Sequence, residues 1–246
     1  MRRVKVRTYS GVVCEQEVFD IPDKLRDVRT ARPPRPRFAT PEEREQHKLE
    51  ISRRKHTRLF NANFGPTSLY STLTFSNEYE VHTFEEAKRL RDNFIRRLQY
   101  AYPDVRIMAY LGRGKATQRI HMHMVSEGVP EEYIRKQWYL GSVVRIEHLR
   151  EHCYYDGVDH GQDYTGLANY LFDHWTPEQG GHRWRPTKNS RSGRSQRRSS
   201  GSTASESRPR PPRATCWWRA EQPSMATSIL SISKFPIRPA GGQGTS

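Results

Sequence analysis

The chain has 246 residues, a formal net charge of +15 and a mean hydropathy of −0.94. That length allows one sizeable domain, but the sequence is too polar for all of it to pack into a core. Cys14, Cys153 and Cys216 are too dispersed for a disulfide framework or a cysteine zinc site, and no apolar run approaches the ~18 residues of a membrane span.

The charge is uneven along the chain. Residues 1–60 carry +7 and residues 188–246 carry +9, while residues 61–187 sum to −1. Basic flanks favour a polyanion partner, and the neutral middle reads as the globular part. Residues 1–39 are expected to form an N-terminal arm and linker. Residues 2–19 alternate apolar and polar around Ser10-Gly11, the pattern of a hairpin or an extended arm, and residues 31–37 form a basic, Pro-rich stretch that cannot be helix. No apolar h-region follows Met1-Arg-Arg, so no signal peptide is expected, and the isolated cysteines suit a reducing, cytoplasmic setting.

Residues 40–187 are expected to form the domain. Thr40 with Glu43 makes a capping box that opens a charged helix to about Phe60, and Asn61–Pro66 reads as a turn. Leu69–Phe75 is an alternating strand. Thr83 with Glu86 opens a second helix, with Ala87, Leu90, Phe94 and Leu98 on one face. A strand over Val105–Leu111 and a turn at Gly112 precede Arg119–Val125. A short helix over Glu131–Trp138 and a strand over Ser142–His148 follow. Asp163 or Thr165 caps a last helix running to about Trp175. This order suits an α+β fold, an antiparallel sheet with packed helices. Residues 188–246 read as a basic, low-complexity, disordered tail. Codon choice also allows Ala214–Arg219 to read as Gly-Tyr-Met-Leu-Val-Glu after a one-nucleotide shift, so an out-of-frame tail is a second reading that the nucleotide sequence tests.

The chemistry concentrates in Arg119-Ile-His-Met-His-Met-Val125. A strand has a side-chain period of two, so His121 and His123 share one face while Ile120, Met122 and Met124 bury on the other. Two neutral imidazoles suit Mn²⁺ or Zn²⁺, and an added oxygen ligand would admit Mg²⁺. Such an ion polarises a scissile phosphate, and a tyrosine on a later helix can attack it. Tyr170 is the first candidate nucleophile and Tyr164, at the helix entrance, the second.

Three segments in order, Tyr70-Ser-Thr-Leu-Thr-Phe75, Ile120-His-Met-His-Met-Val125 and Leu167-Ala-Asn-Tyr-Leu171, resemble the HUH-type rolling-circle replication initiators. The closer likeness is to replication-associated proteins similar to the gene II protein of filamentous phages. It extends over roughly residues 55–190. The resemblance implies an RRM-like sheet, His121 and His123 as ligands of Mg²⁺ or Mn²⁺, and Tyr170 as the nicking nucleophile, with Thr72 and Thr74 flanking the site. It implies single-stranded or hairpin origin DNA as substrate, and a host DNA polymerase and helicase as partners in a bacterial cytoplasm. Relatives carry a glutamate where this chain has Tyr110, which leaves Gln118 and Glu127 as candidate third ligands. They carry a lysine where this chain has Asp173, which passes that cationic role to His174 or Arg183. Arg53, Arg54, Lys55 and Arg58 are the expected DNA contacts. A noncatalytic RRM-like nucleic-acid-binding protein, or a relaxase or transposase of the same chemistry, are the alternatives.

Overall fold

A computed structural model of the chain describes residues 2–22, 36–79, 81–114, 118–141, 144–175, 179–180, 184–199 and 215–217. Among the described residues the fold is α+β, with four helices and sheets that are antiparallel except for one short pair, and is compatible with an RRM-like arrangement. At its centre is a five-stranded sheet built from β3 (Leu69–Thr74), β4 (Arg106–Arg113), β5 (Ile120–Glu127), β6 (Val144–His148) and β9 (Arg185–Pro186), in the order β6-β3-β5-β4-β9. Helices α2 (Phe84–Ala101) and α3 (Glu131–Gln137) cover one face, where Phe94, Leu98 and Ile134 pack on Leu73, Ile107, Ala109, Met122 and Met124. Helices α1 (Pro41–Asn63) and α4 (Thr165–Asp173) cover part of the other, where Phe60, Ala168 and Leu171 pack on Met108, Tyr110 and Val125. The alternation of the strands thus sends the methionines of β5 to one core and leaves its histidines on the α4 side.

The threonine half of each capping box forms, while Glu43 Oε2 accepts from Ala39 N. Thr40 Oγ1 accepts from Glu43 N at 3.2 Å, and Thr83 Oγ1 accepts from Glu86 N at 3.3 Å. Asp163 Oδ1 accepts from Thr165 N at 2.9 Å just ahead of α4, whose N-cap is Tyr164 and has no side-chain cap bond, so neither Asp163 nor Thr165 is the N-cap. Helix α1 runs one turn past the expected stop at Phe60. Asn61 is a helical residue whose Oδ1 accepts from Tyr164 N at 3.0 Å and whose Nδ2 donates to Thr165 Oγ1 at 3.1 Å. Burial with these partners outweighs the turn preference of asparagine, and it fixes where α4 begins. A short hairpin, β7 (Tyr154–Tyr155) and β8 (Val158–Asp159), precedes α4 and was not anticipated from sequence.

Residues 2–21 form the expected hairpin, β1 (Arg2–Ser10) and β2 (Val13–Ile21). Gly11, at φ +60°, lies so close to the Asn61 carbonyl that a Cβ there would clash with the α1 backbone. The tail departs from expectation. Asn63 accepts from Arg191 N at 2.6 Å and donates to Arg191 O at 2.7 Å, and Asn189 Nδ2 reaches the carbonyls of Asp104 and Val105. Residues Arg194–Ser199 then form β10, antiparallel to β1, and Thr215–Trp217 form β11, parallel to β2. The free edges of the hairpin offer unpaired backbone groups, and these pairings satisfy them despite a low-complexity sequence. The remaining tail, and the Pro/Arg stretch up to residue 35, lie outside the described residues. No helix among the described residues is long and apolar enough to cross a membrane.

Candidate metal and nucleophile site

Two rows of the sheet build the floor of the site. Thr72, His123 and Tyr110 lie side by side on β3, β5 and β4, and Thr74, His121 and Gly112 form the next row. Helix α4 crosses above and ends with His174 as its C-cap. The ligand nitrogens of His121, His123 and His174 all lie within 4.8 Å of one another.

Hydrogen bonding sets the tautomer of His174 and is compatible with the same tautomer in the other two rings. His174 Nδ1 donates to the Tyr170 carbonyl at 2.8 Å. His123 Nδ1 lies 2.8 Å from Tyr70 Oη and 3.2 Å from Thr72 Oγ1. His121 Nδ1 reaches the Arg119 carbonyl only at 3.5 Å. With Nδ1 carrying the proton, each ring turns an Nε2 lone pair to the site. The Nε2 atoms of His121 and His123 are 3.1 Å apart, a contact that a shared proton or a cation would relieve. Burial holds the His123 pKa down to about 3, reinforced by His174 and His121, and burial also lowers that of His121. Neutral imidazoles are the form that ligates a metal.

Gly112 leaves room for this geometry. A Cβ there would lie 3.0 Å from His174 Cδ2 and 3.3 Å from His121 Nε2. The sequence suggests a turn at Gly112, but β4 continues through it to Arg113. The missing side chain gives His174 room between the strands.

Tyr170 is half-exposed, at 49%, with its ring 4.3 Å from the ring of His174 and 6.3 Å from that of His123. Partial burial raises its hydroxyl pKa. Tyr164 is only 1% exposed, packs on Phe60 and donates to the Arg150 carbonyl at 2.8 Å, so it anchors the start of α4 and its hydroxyl is engaged. Tyr110 is buried, with its hydroxyl 2.8 Å from His56 Nε2 beneath Trp184 and Phe172.

The expected third ligands lie elsewhere. Glu127 ends β5, four residues beyond His123, and binds the hydroxyls of Thr67 and Ser68. Gln118 is exposed in the turn entering β5, at φ +55°. The cluster instead takes His174, which the sequence suggests only as a substitute cation. Its position four residues after Tyr170 was visible, but its approach to β5 was not. Arg183 lies outside the described residues. The basic run of α1 is largely neutralised within the fold. Arg53 binds Asp173 through two bonds of 3.0 and 2.6 Å, Arg58 binds Glu15 at 2.6 Å, and Arg54 pairs with Glu17. Lys55 is exposed.

Tyr70 is a site residue that the sequence did not single out as one. Its hydroxyl pKa is pushed up to about 12, mainly by burial, so it stays a neutral partner for His123. Replacing it by phenylalanine should weaken divalent-metal binding by about tenfold, the usual scale for removing an orienting partner, with Thr72 holding the ring in part. A Co²⁺ absorption titration of wild type and Tyr70→Phe measures this, and equal affinities would mean that Thr72 alone orients His123.

No protein-family model, curated protein or solved structure matches this chain.

Proposed function

We propose that this protein is a metal-dependent, single-strand DNA nickase and strand transferase of the HUH type, which initiates rolling-circle replication of a plasmid, phage or mobile element. The observation that carries the reading is the convergence of three histidines, each able to present Nε2, beside a half-exposed Tyr170 on one sheet face. The resemblance of the strand and helix motifs to HUH initiators supports it. An all-imidazole donor set suits Mn²⁺ or Zn²⁺ better than Mg²⁺, which prefers oxygen ligands. A dication held by His121, His123 and His174 would polarise a scissile phosphate and offset charge as it develops.

The protein's own residues supply the rest. Tyr70 and Thr72 orient His123, and α4 holds Tyr170 one turn before His174, so nucleophile and ligand share one rigid element. The Tyr170 oxygen forms a bond to phosphorus and loses its proton. The bond from phosphorus to the 3′-oxygen breaks, and that oxygen takes up a proton. The products are a 5′-phosphotyrosine and a free 3′-OH, from which a host polymerase can extend. An unpaired or hairpin origin is the substrate, because a half-exposed tyrosine on a short helix needs an accessible backbone.

The test is labelled single-stranded DNA from the source element's origin region, incubated with Mn²⁺ and run on a denaturing protein gel. A covalent adduct is expected with wild type, and none with Tyr170→Phe or with EDTA. DNA binding without an adduct would leave a noncatalytic RRM-like module. Joining to transposon ends, or dependence on conjugative partners, would assign the chemistry to a transposase or relaxase.

A further inference from the structure

The hairpin segregates charge between its two faces. On the inner face Val4, Val6, Thr8 and Ser10 of β1 are buried, and Glu15 and Glu17 of β2 meet Arg54 and Arg58 of α1. The alternate residues of β1, Arg3, Lys5, Arg7 and Tyr9, fall on the outer face. Arg3 and Lys5 are exposed and Arg7 is half-buried. The register adds exposed Arg194 of β10 opposite Tyr9, and sets Arg198 opposite Lys5. On β2 the same face carries Asp20, Val18 and Gln16 opposite Arg3, Lys5 and Arg7. Asp20 is its one carboxylate among the described side chains, bound to Arg3 at 3.3 Å where both are exposed.

We infer that this outer face of the β10-β1-β2 sheet is a docking surface for the phosphate backbone of double-stranded DNA, separate from the histidine site. Three arguments carry it. The cations recur at every second residue of β1, about 6.6 Å apart, so they form a regular row rather than a scatter. The arginines on α1 that looked like the DNA contact meet Glu15, Glu17 and Asp173, whereas this row faces outward, with Arg3 bound to exposed Asp20 and Arg7 donating to the neutral Gln16. Among the described side chains the face carries one aromatic, the half-buried Tyr9, which offers unpaired bases little to stack on, while duplex phosphates need only charge. Duplex flanking an origin is held here without reading its sequence.

The experiment titrates a labelled 30-base-pair duplex of random sequence with the full chain in EDTA, at several salt concentrations, so neither metal nor cleavage enters. Arg3→Gln/Lys5→Gln/Arg7→Gln should weaken binding by roughly tenfold or more and reduce the slope of log affinity against log salt by roughly 2.7, from about 0.9 per phosphate contact. Lys136→Gln, exposed on α3 and away from this face, should keep the wild-type slope. An unchanged slope in the triple variant with native circular dichroism would overturn the inference, as would a slope lost only in Lys136→Gln. Wild type that binds anionic phosphatidylglycerol vesicles but not the duplex would overturn it as well. If the triple variant does not fold, Lys5→Gln alone should lower the slope by about 0.9. The nicking reading is untouched by any of these results, because Tyr170 adducts are scored separately on single-stranded DNA.

Discussion

His174→Ala should lower Mn²⁺ or Zn²⁺ affinity on the order of 100-fold or more and abolish the metal-dependent DNA adduct, with the fold retained. His174 is the C-cap of α4 and lies outside the sheet, so its loss removes no core packing. It leaves two ligands on β5, too few to hold a catalytic dication, and it frees the Tyr170 carbonyl that its Nδ1 now binds. On the proposed reading, one substitution therefore loosens the metal site and the nucleophile together. Calorimetric titration with the metal, beside the adduct gel, separates the two losses. Wild-type affinity in His174→Ala would move the third ligand elsewhere, with Gln118 the first residue to test.

Acid should destabilise the metal-free protein steeply below neutrality. His56 is fully buried on α1, and burial holds its pKa down to about 3, with Arg53 pushing the same way. An unfolded histidine titrates near 6.5, so between these values the unfolded chain binds the proton and the folded chain does not. Stability is therefore complete above about pH 6.5 and is lost as pH falls toward 3, by up to about 1.4 kcal/mol per unit for each such histidine. His123 behaves alike in the absence of metal. Together they should remove on the order of 4 kcal/mol by pH 5, a large part of a typical domain's margin. Urea unfolding in EDTA at pH 7 and pH 5 measures the loss. His56→Gln keeps a partner for the Tyr110 hydroxyl but does not titrate, so it should show about half the pH dependence. An unchanged dependence would mean that His56 is not held neutral.

Much of the scaffold was legible in the residues. Capping boxes at Thr40 and Thr83, alternation in Leu69–Thr74 and the period of two at His121 and His123 are local signals, and local hydrogen bonding enforces them. Around Gly11 the alternation left a hairpin or an extended arm, and the β1–β2 pairing makes it a hairpin. Two misreadings came from treating residues as local punctuation. Gly112 looked like a turn, yet it pairs with His121 across β4 and β5, and its missing Cβ leaves His174 more room. Asn61 looked like a turn residue, yet it is helical and anchors the start of α4.

The sequence by itself determined an α+β domain with two histidines on one strand face and tyrosine candidates on a late helix, because strand and helix periods act over a few residues. Only the tertiary structure decided the third histidine, the burial of Tyr164 against the exposure of Tyr170, and the partners of the α1 arginines. Each depends on where α4 and the β1–β2 hairpin come to rest against the sheet. That placement is set by contacts such as Asn61 with Tyr164 and Arg58 with Glu15, which join residues 103 and 43 positions apart, a separation that no local pattern encodes.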